Sequence, residues 1–218
     1  MKYDVYVVTD ETVSGGRSHA EIARQATAGG AGVIQLRDKT RSCSELVRIG
    51  REIAIIARGA GAGFVVNDRL DVAIACGADG VHLGQGDVPC GVARQIAPPG
   101  FIIGVSVGSV AEARNAEHEG ADYVALSPVF ATGSKPDAGP GHGLAIVRQI
   151  RSAVRIPVIA IGGIGPENAG EVIDAGADGV AVISAITGAP DITGAARRMV
   201  AIVAERKAAR TKRGSRDP

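Results

Sequence analysis

Gly77-Ala78-Asp79-Gly80-Val81, Gly120-Ala121-Asp122-Tyr123-Val124 and Gly176-Ala177-Asp178-Gly179-Val180 are near-copies of one another. Each follows a helix-like stretch and precedes a short apolar run, the pattern of a helix stop feeding a buried parallel strand. Repeated junctions of this kind mean repeated βα units. Working outward from them, short β-branched runs fall at 3–9, 32–37, 63–68, 80–84, 101–106, 123–127, 157–163 and 179–184. Helical segments lie near 18–29, 42–60, 69–76, 89–97, 109–119, 142–154, 166–175 and 191–209. This strict alternation predicts an α/β fold, a parallel sheet clothed in helices and closed into a (β/α)8 TIM barrel. An open doubly wound sheet is the competing layout, but the first βα turn lacks G-x-G-x-x-G.

Composition agrees with one compact domain. The chain has 218 residues, 45% hydrophobic and 22% charged, with 31 glycines suited to tight turns and close backbone approach. Gly, Asp and Arg interrupt every apolar run short of the ~18 residues a membrane span needs. The first residues run straight into strand-like Tyr3-Asp4-Val5-Tyr6-Val7-Val8, without the pattern of a signal peptide, so a cytoplasmic location is expected. Cys43, Cys76 and Cys90 are an odd, scattered set that forms neither a disulfide framework nor a zinc motif. A net charge of +1 exerts no general pull on nucleic acid. The barrel is expected to occupy residues 1–205, and 206–218, with Arg206, Lys207, Arg210, Lys212, Arg213 and Arg216, to form a basic, flexible tail.

In such a barrel, chemistry belongs at the carboxyl ends of the strands. Strand two ends in Gln35-Leu36-Arg37-Asp38-Lys39, where a period of two puts Gln35, Arg37 and Lys39 on one face; the alternative is that the two cations are loop charges facing water. Strand three ends in Asn67-Asp68, and the loop after strand four carries Asp87. Carboxylates at neighbouring strand ends, ~4.8 Å apart, can reach one hard cation, and magnesium suits a site that also receives phosphate. Asp68 has a structural alternative, capping the helix that begins at Arg69. Strand five ends in Gly104-Val105-Ser106, and strand six leads through Ser127-Pro128 to Thr132-Gly133-Ser134-Lys135 and a glycine-rich loop. Strands seven and eight end in Gly162-Gly163-Ile164 and Ile183-Ser184-Ala185, where backbone N–H groups and a helix N-terminus often hold phosphate. Asp79, Asp122 and Asp178 fall on the opposite rim and read as structural. Among the histidines, His82 reads as a satisfied structural residue of the barrel lining.

Taken in order, Gln35-Leu36-Arg37-Asp38-Lys39, Asn67-Asp68-Arg69, His82-Leu83-Gly84-Gln85-Gly86-Asp87, Gly104-Val105-Ser106, Pro128-Val129-Phe130, Lys135, Gly162-Gly163-Ile164 and Ile183-Ser184-Ala185 resemble the thiamine-phosphate synthase family. The likeness runs from about residue 3 to residue 205. It implies a cytoplasmic transferase of thiamine biosynthesis that joins hydroxymethylpyrimidine diphosphate to thiazole phosphate and releases pyrophosphate. It also implies roles: Asp68 and Asp87 hold Mg2+; Arg37, Lys39, Asn67, Ser106 and Lys135 bind the diphosphate; and Gln35 addresses the pyrimidine. Thr132 and Ser134 meet the thiazole substrate, whose phosphate rests on Gly163, Ile183 and Ser184. Arg37, Lys39, Ser106 and Lys135 carry the catalytic work, and the partners are small molecules, with neither nucleic acid nor membrane; a homo-oligomer is compatible with the sequence.

Three positions depart from the family's usual pattern. Gly108 stands where a histidine is frequent, Ala131 where proline is, and Gly133-Ser134 where an acid-threonine pair is. Competing readings are a thiazole tautomerase, in which a histidine is expected near the end of strand six where Ser127-Pro128 stands, and a non-catalytic barrel that binds thiazole or thiamine phosphate. A sugar-phosphate isomerase is a third, but no acid–base pair declares itself.

Overall fold

The computed structural model describes residues 1–133 and 139–214. Eight parallel strands close on themselves in sequence order, β1 pairing with β8: β1 (Val5–Val8), β2 (Val33–Leu36), β3 (Gly63–Asn67), β4 (Gly80–Leu83), β5 (Ile102–Val107), β6 (Tyr123–Leu126), β7 (Val158–Ile161) and β8 (Gly179–Val182). The intervening helices are α1 (His19–Ala28), α2 (Cys43–Ala60), α3 (Leu70–Cys76), α4 (Cys90–Ile96), α5 (Val110–His118), α6 (Gly143–Ala153), α7 (Ala169–Asp174), the short α8 (Ser184–Thr187) and α9 (Ile192–Gly214). The expected (β/α)8 barrel is therefore the fold; the short α8, absent from the sequence reading, begins at Ser184.

The strands are apolar on both faces because both are buried. Val5 and Val7 pack outward with Ile22, Ile34 and Met199 in the layer beneath the helices. Tyr6 and Val8 point inward with Val33, Val65, Tyr123, Ile159 and Ala181. Tyr6 and Tyr123 are the two buried tyrosines of that inner packing, and Tyr123 needs Gly104: a Cβ there would stand 2.0 Å from Tyr123 Cζ.

The repeated Gly-Ala-Asp junction has a direct physical cause. Gly77, Gly120 and Gly176 end their helices at φ of 72°, 93° and 110°, a region L side chains avoid. The aspartate two residues on then clasps the start of the preceding strand with two hydrogen bonds. Asp79 accepts the Phe64 N–H at 2.8 Å, Asp122 the Ile103 N–H at 2.7 Å and Asp178 the Val158 N–H at 2.9 Å. Each aspartate's own N–H returns to the carbonyl of that same residue, at 2.9, 2.8 and 2.8 Å. All three lie on the amino rim, as expected. Gly30-Ala31-Gly32-Val33 is a fourth copy that sequence reading passes over; aspartate is barred from position 32, where a Cβ would lie 2.2 Å from the Lys2 carbonyl oxygen.

One boundary needs correcting. Helix α9 runs on through Arg206, Lys207 and Arg210 to Gly214, so a flexible tail does not begin at 206. Arg210 donates to the carbonyls of Ile173 and Ala177 at 3.0 and 3.1 Å, Arg206 approaches Asp174 at 3.5 Å, and Lys207 pairs with Asp4. Basic residues that read as a solvated run thus dock the last helix over the amino rim. Among the described residues, no helix is long and apolar enough to cross a membrane.

Candidate active site at the carboxyl rim

Arg37, Lys39, Asn67, Asp68, Asp87 and Ser106 line one cavity of about 470 Å³ at the carboxyl ends of β2 to β5. Six expected site residues from four consecutive βα units are thereby brought together. Beside it, at the ends of β6 to β8, a cavity of about 640 Å³ is lined by Thr132, Gly163, Ile183 and Ser184. Ser127 lines both cavities and is their common wall. Gln35 lies deeper, in a small void bounded also by Tyr6, His82 and Ser106. Ser134 and Lys135 lie outside the described residues.

Of the two cations at the first cavity, Arg37 is held, whereas Lys39 is exposed. Arg37 Nη1 lies 3.3 Å from Asp10 Oδ2, and its N–H is 3.4 Å from Thr9 Oγ1, so the end of β1 anchors the end of β2. Behind them sits a four-residue ionic cluster. His19 Nδ1 is 2.7 Å from Thr9 Oγ1 and its Nε2 is 3.1 Å from Asp38 Oδ2, while Arg41 bridges Glu11 at 2.5 Å and Asp38 at 3.1 Å. Burial alone would raise the Asp38 carboxyl, but hydrogen bonds from Thr40, His19 and Arg41 outweigh it and hold the pKa well below the usual carboxylate range. Glu11, His19 and Asp38 lie close enough together to hold a metal ion, and the Arg41 guanidinium pairs with both carboxylates. The cluster acts on the site by fixing the loop that carries Lys39.

Asp68 and Asp87 differ in how they are set. Asp68 has φ of 62°, the left-handed region, and its N–H donates to the His82 carbonyl at 2.8 Å. Helix α3 takes Arg69, not Asp68, as its N-cap residue. Asp87 accepts the Gly84 N–H at 2.6 Å through Oδ2. Two carboxylates and the Asn67 amide line the same cavity, and their oxygens are of the type a hard divalent cation takes.

The second cavity is built on backbone. Gly162 and Gly163 have φ of 106° and 60°, and β6 continues past its end against them: Val129 N–H donates to the Ile161 carbonyl at 2.8 Å and Phe130 N–H to the Gly162 carbonyl at 3.0 Å. Side chains at either glycine would strike Pro128 or Ala131. Glu167, which sequence reading passes over, also lines this cavity. The departure at Gly108 has a counterpart: a Cβ there would stand 3.2 Å from His142 Nε2, so an imidazole delivered by the loop before α6 occupies the room a side chain at 108 would claim. Of the thiols, Cys43 is exposed, and burial raises the pKa of both Cys76 and Cys90.

The family model described as thiamine monophosphate synthase matches residues 5–186. The chain belongs to that family. It is 62% identical over 208 residues to the thiamine-phosphate synthase of Methanoculleus marisnigri, covering 95% of this chain and 99% of the relative. The thiamine-phosphate synthase of Moorella thermoacetica is 54% identical over 202 residues, covering 93% and 96% of the two chains. Among solved structures, the thiamine phosphate pyrophosphorylase of Pyrococcus furiosus superposes with a TM-score of 0.88 at 45% identity, over 94% of this chain and 97% of that one. In this thiamine-phosphate synthase family member, Arg37, Lys39, Asn67, Asp68, Asp87, Ser106, Thr132, Gly163, Ile183 and Ser184 lie at the carboxyl rim, and Asp79, Asp122 and Asp178 lie at the other.

What sequence reading missed at this rim are residues whose roles arise from contact across the barrel. Ser127 as shared wall, Asp10 behind Arg37, Gln85 donating to the Ser106 carbonyl at 2.7 Å, and the buried tyrosines are of this kind. A signal for the tyrosines was present: in a barrel strand a period of two sends Tyr6 and Tyr123 to the inside, where each hydroxyl must find a partner.

Proposed function

We propose that this chain joins hydroxymethylpyrimidine diphosphate to thiazole phosphate, giving thiamine phosphate and pyrophosphate. The observation that carries the reading is the pair of adjoining cavities. One is rich in charge and can take a diphosphate, the other is rich in backbone and can take a monophosphate ester, and Ser127 lies between them.

Arg37, Lys39, Asn67 and Ser106 would hold the diphosphate, with Lys135 added on the strength of the family resemblance. Asp68 and Asp87 would hold Mg2+, which when bound supplies positive charge to the departing diphosphate. The C–O bond to the diphosphate breaks with its electron pair leaving on oxygen, and the electron-rich aminopyrimidine supports the cation left on the methylene carbon. The thiazole nitrogen then donates its lone pair to that carbon, forming the C–N bond. No protein nucleophile enters, so the residues contribute electrostatics and position. Gln35 would orient the pyrimidine, Thr132 and Ser134 the thiazole, and Gly163, Ile183 and Ser184 its phosphate. A cytoplasmic site of action fits these substrates.

A thiazole tautomerase needs no diphosphate clamp, and β6 is followed here by Ser127-Pro128 and not by a histidine, which favours the synthase. The test is direct: purified protein, both substrates and magnesium chloride, with thiamine phosphate and pyrophosphate quantified. Equal amounts of the two products are expected; a protein that forms neither, or that forms them equally in chelator, overturns the reading.

A further inference from the structure

A file of hydrogen bonds crosses the barrel interior. Gln35 Nε2 donates to the Tyr6 hydroxyl at 2.8 Å, the Tyr6 and Tyr123 hydroxyls are 2.9 Å apart, the Tyr123 hydroxyl is 3.0 Å from His82 Nδ1, and His82 Nε2 is 2.9 Å from Ser106 Oγ. Gln35, Tyr6, Tyr123 and His82 are buried, at 4%, 2%, 0% and 7% exposure, so water does not compete for these bonds. Ser106, at the end of the file, is half-buried and lines the charged cavity.

The chemistry of the members sets a direction. An amide nitrogen only donates, so Tyr6 accepts from Gln35 and keeps its hydrogen for Tyr123. Burial drives the pKa of both phenols up, Tyr123 well above its ordinary value, so each carries one hydrogen to pass on. Tyr123 therefore donates to His82 Nδ1. A ring nitrogen that accepts carries no hydrogen, so the neutral imidazole bears its own on Nε2 and gives it to Ser106 Oγ. Having accepted from His82, the Ser106 hydroxyl turns its own hydrogen elsewhere, and the cavity is on that side.

We propose that this file is a polarity lock: Tyr6, Tyr123 and His82 are positioning residues that hold His82 as the Nε2–H tautomer and make Ser106 a donor into the cavity. The tautomer is argued from the file and not from the reaction. That the acceptor is a diphosphate oxygen rests on the function proposed above. Donation to that oxygen strengthens as negative charge grows on the leaving group, so its effect falls on turnover more than on substrate affinity.

Nitrogen-15 NMR of histidine-labelled protein without ligands, with the His82 signals assigned by their loss in His82→Gln, tests the lock. The expected pattern is a protonated Nε2 and an unprotonated, hydrogen-bonded Nδ1. A protonated Nδ1, or rapid averaging between tautomers, overturns the proposal whatever the enzyme's activity. In Tyr123→Phe the Nε2–H preference is expected to weaken and kcat to fall roughly tenfold with KM for the diphosphate substrate little changed. Ser106→Ala should then cost much less in the Tyr123→Phe background than in the parent, and Ser106→Thr should restore most of the turnover. Independent, multiplying losses overturn the positioning role. A parent protein inactive with both substrates would sink the proposed reaction and leave the tautomer result standing; if Tyr123→Phe does not fold, the parent spectrum decides.

Discussion

Asp68 hands its backbone N–H to the carbonyl of His82 at 2.8 Å while holding φ at 62°. β3 and β4 pair as far as Asn67 and His82, and the chain then turns sharply, into a region that costs a non-glycine residue roughly 1–2 kcal/mol. A non-glycine residue held in this region at the wall of a charged cavity is a candidate for a side chain kept for its chemistry.

Replacing Asp68 by glycine separates strain from chemistry. Asp68→Gly relieves the backbone and removes the carboxylate, with the entropy cost of glycine, about 0.5–1 kcal/mol, offsetting part of the relief. The melting temperature is expected within a few degrees of the parent, while formation of thiamine phosphate falls by at least ~100-fold, on the scale of losing one electrostatic contact to the transition state. Thermal melts and product assays on the same preparation check both halves.

The aspartates of the amino rim should behave in the opposite way. Asp122 accepts the Ile103 N–H and the Arg94 guanidinium, and Asp122→Ala leaves both without it. A loss of about 1–3 kcal/mol in urea unfolding is expected. Folded protein assayed at low temperature should keep its kcat; a selective loss of kcat in fully folded protein would argue against a purely structural role.

Gly104→Ala probes the inner packing. The added Cβ would meet Tyr123 at 2.0 Å from Cζ and 2.3 Å from the hydroxyl oxygen, on a ring that has no room to move. Overpacking of this severity is expected to cost at least ~3 kcal/mol, at the upper end for such changes. Soluble yield and chemical denaturation report it, and a variant as stable as the parent would contradict the packing described.

Asp38 gives the fold an acid-sensitive contribution. Its pKa in the folded protein is held well below the unfolded value of about 3.9. The carboxylate therefore stabilises the fold above that unfolded value, and the contribution fades as pH falls toward the folded one. Urea unfolding of parent and Asp38→Asn should show a wider stability gap at pH 7 than at pH 3; a gap that widens on acidification has the wrong sign.

Much of the site was legible because barrel strands deliver their last residues to one rim. Arg37, Asn67, Asp68, Asp87 and Ser106 were readable as strand-end residues and do share a cavity. The partners that hold them were not readable. Arg37 meets Asp10 from 27 residues away, and Tyr6 meets Tyr123 across 117. His82 read as a structural histidine; both its ring nitrogens are indeed satisfied, but one of those partners is Ser106 at the cavity wall. The basic run after 205 read as solvated, since nothing local distinguishes lysines that face water from lysines that dock onto Asp4.

Local order in the sequence determined the eight βα units, their sequence-order pairing and the rim at which reactive side chains emerge, because strand period, helix stops and the Gly-Ala-Asp clasp all act over short spans of chain. Closure of the ring decided the rest. Only when β1 meets β8 do inward side chains from distant strands share one dry interior, where each hydroxyl and imidazole must take the partner geometry leaves it, and that choice sets which hydrogen faces the cavity.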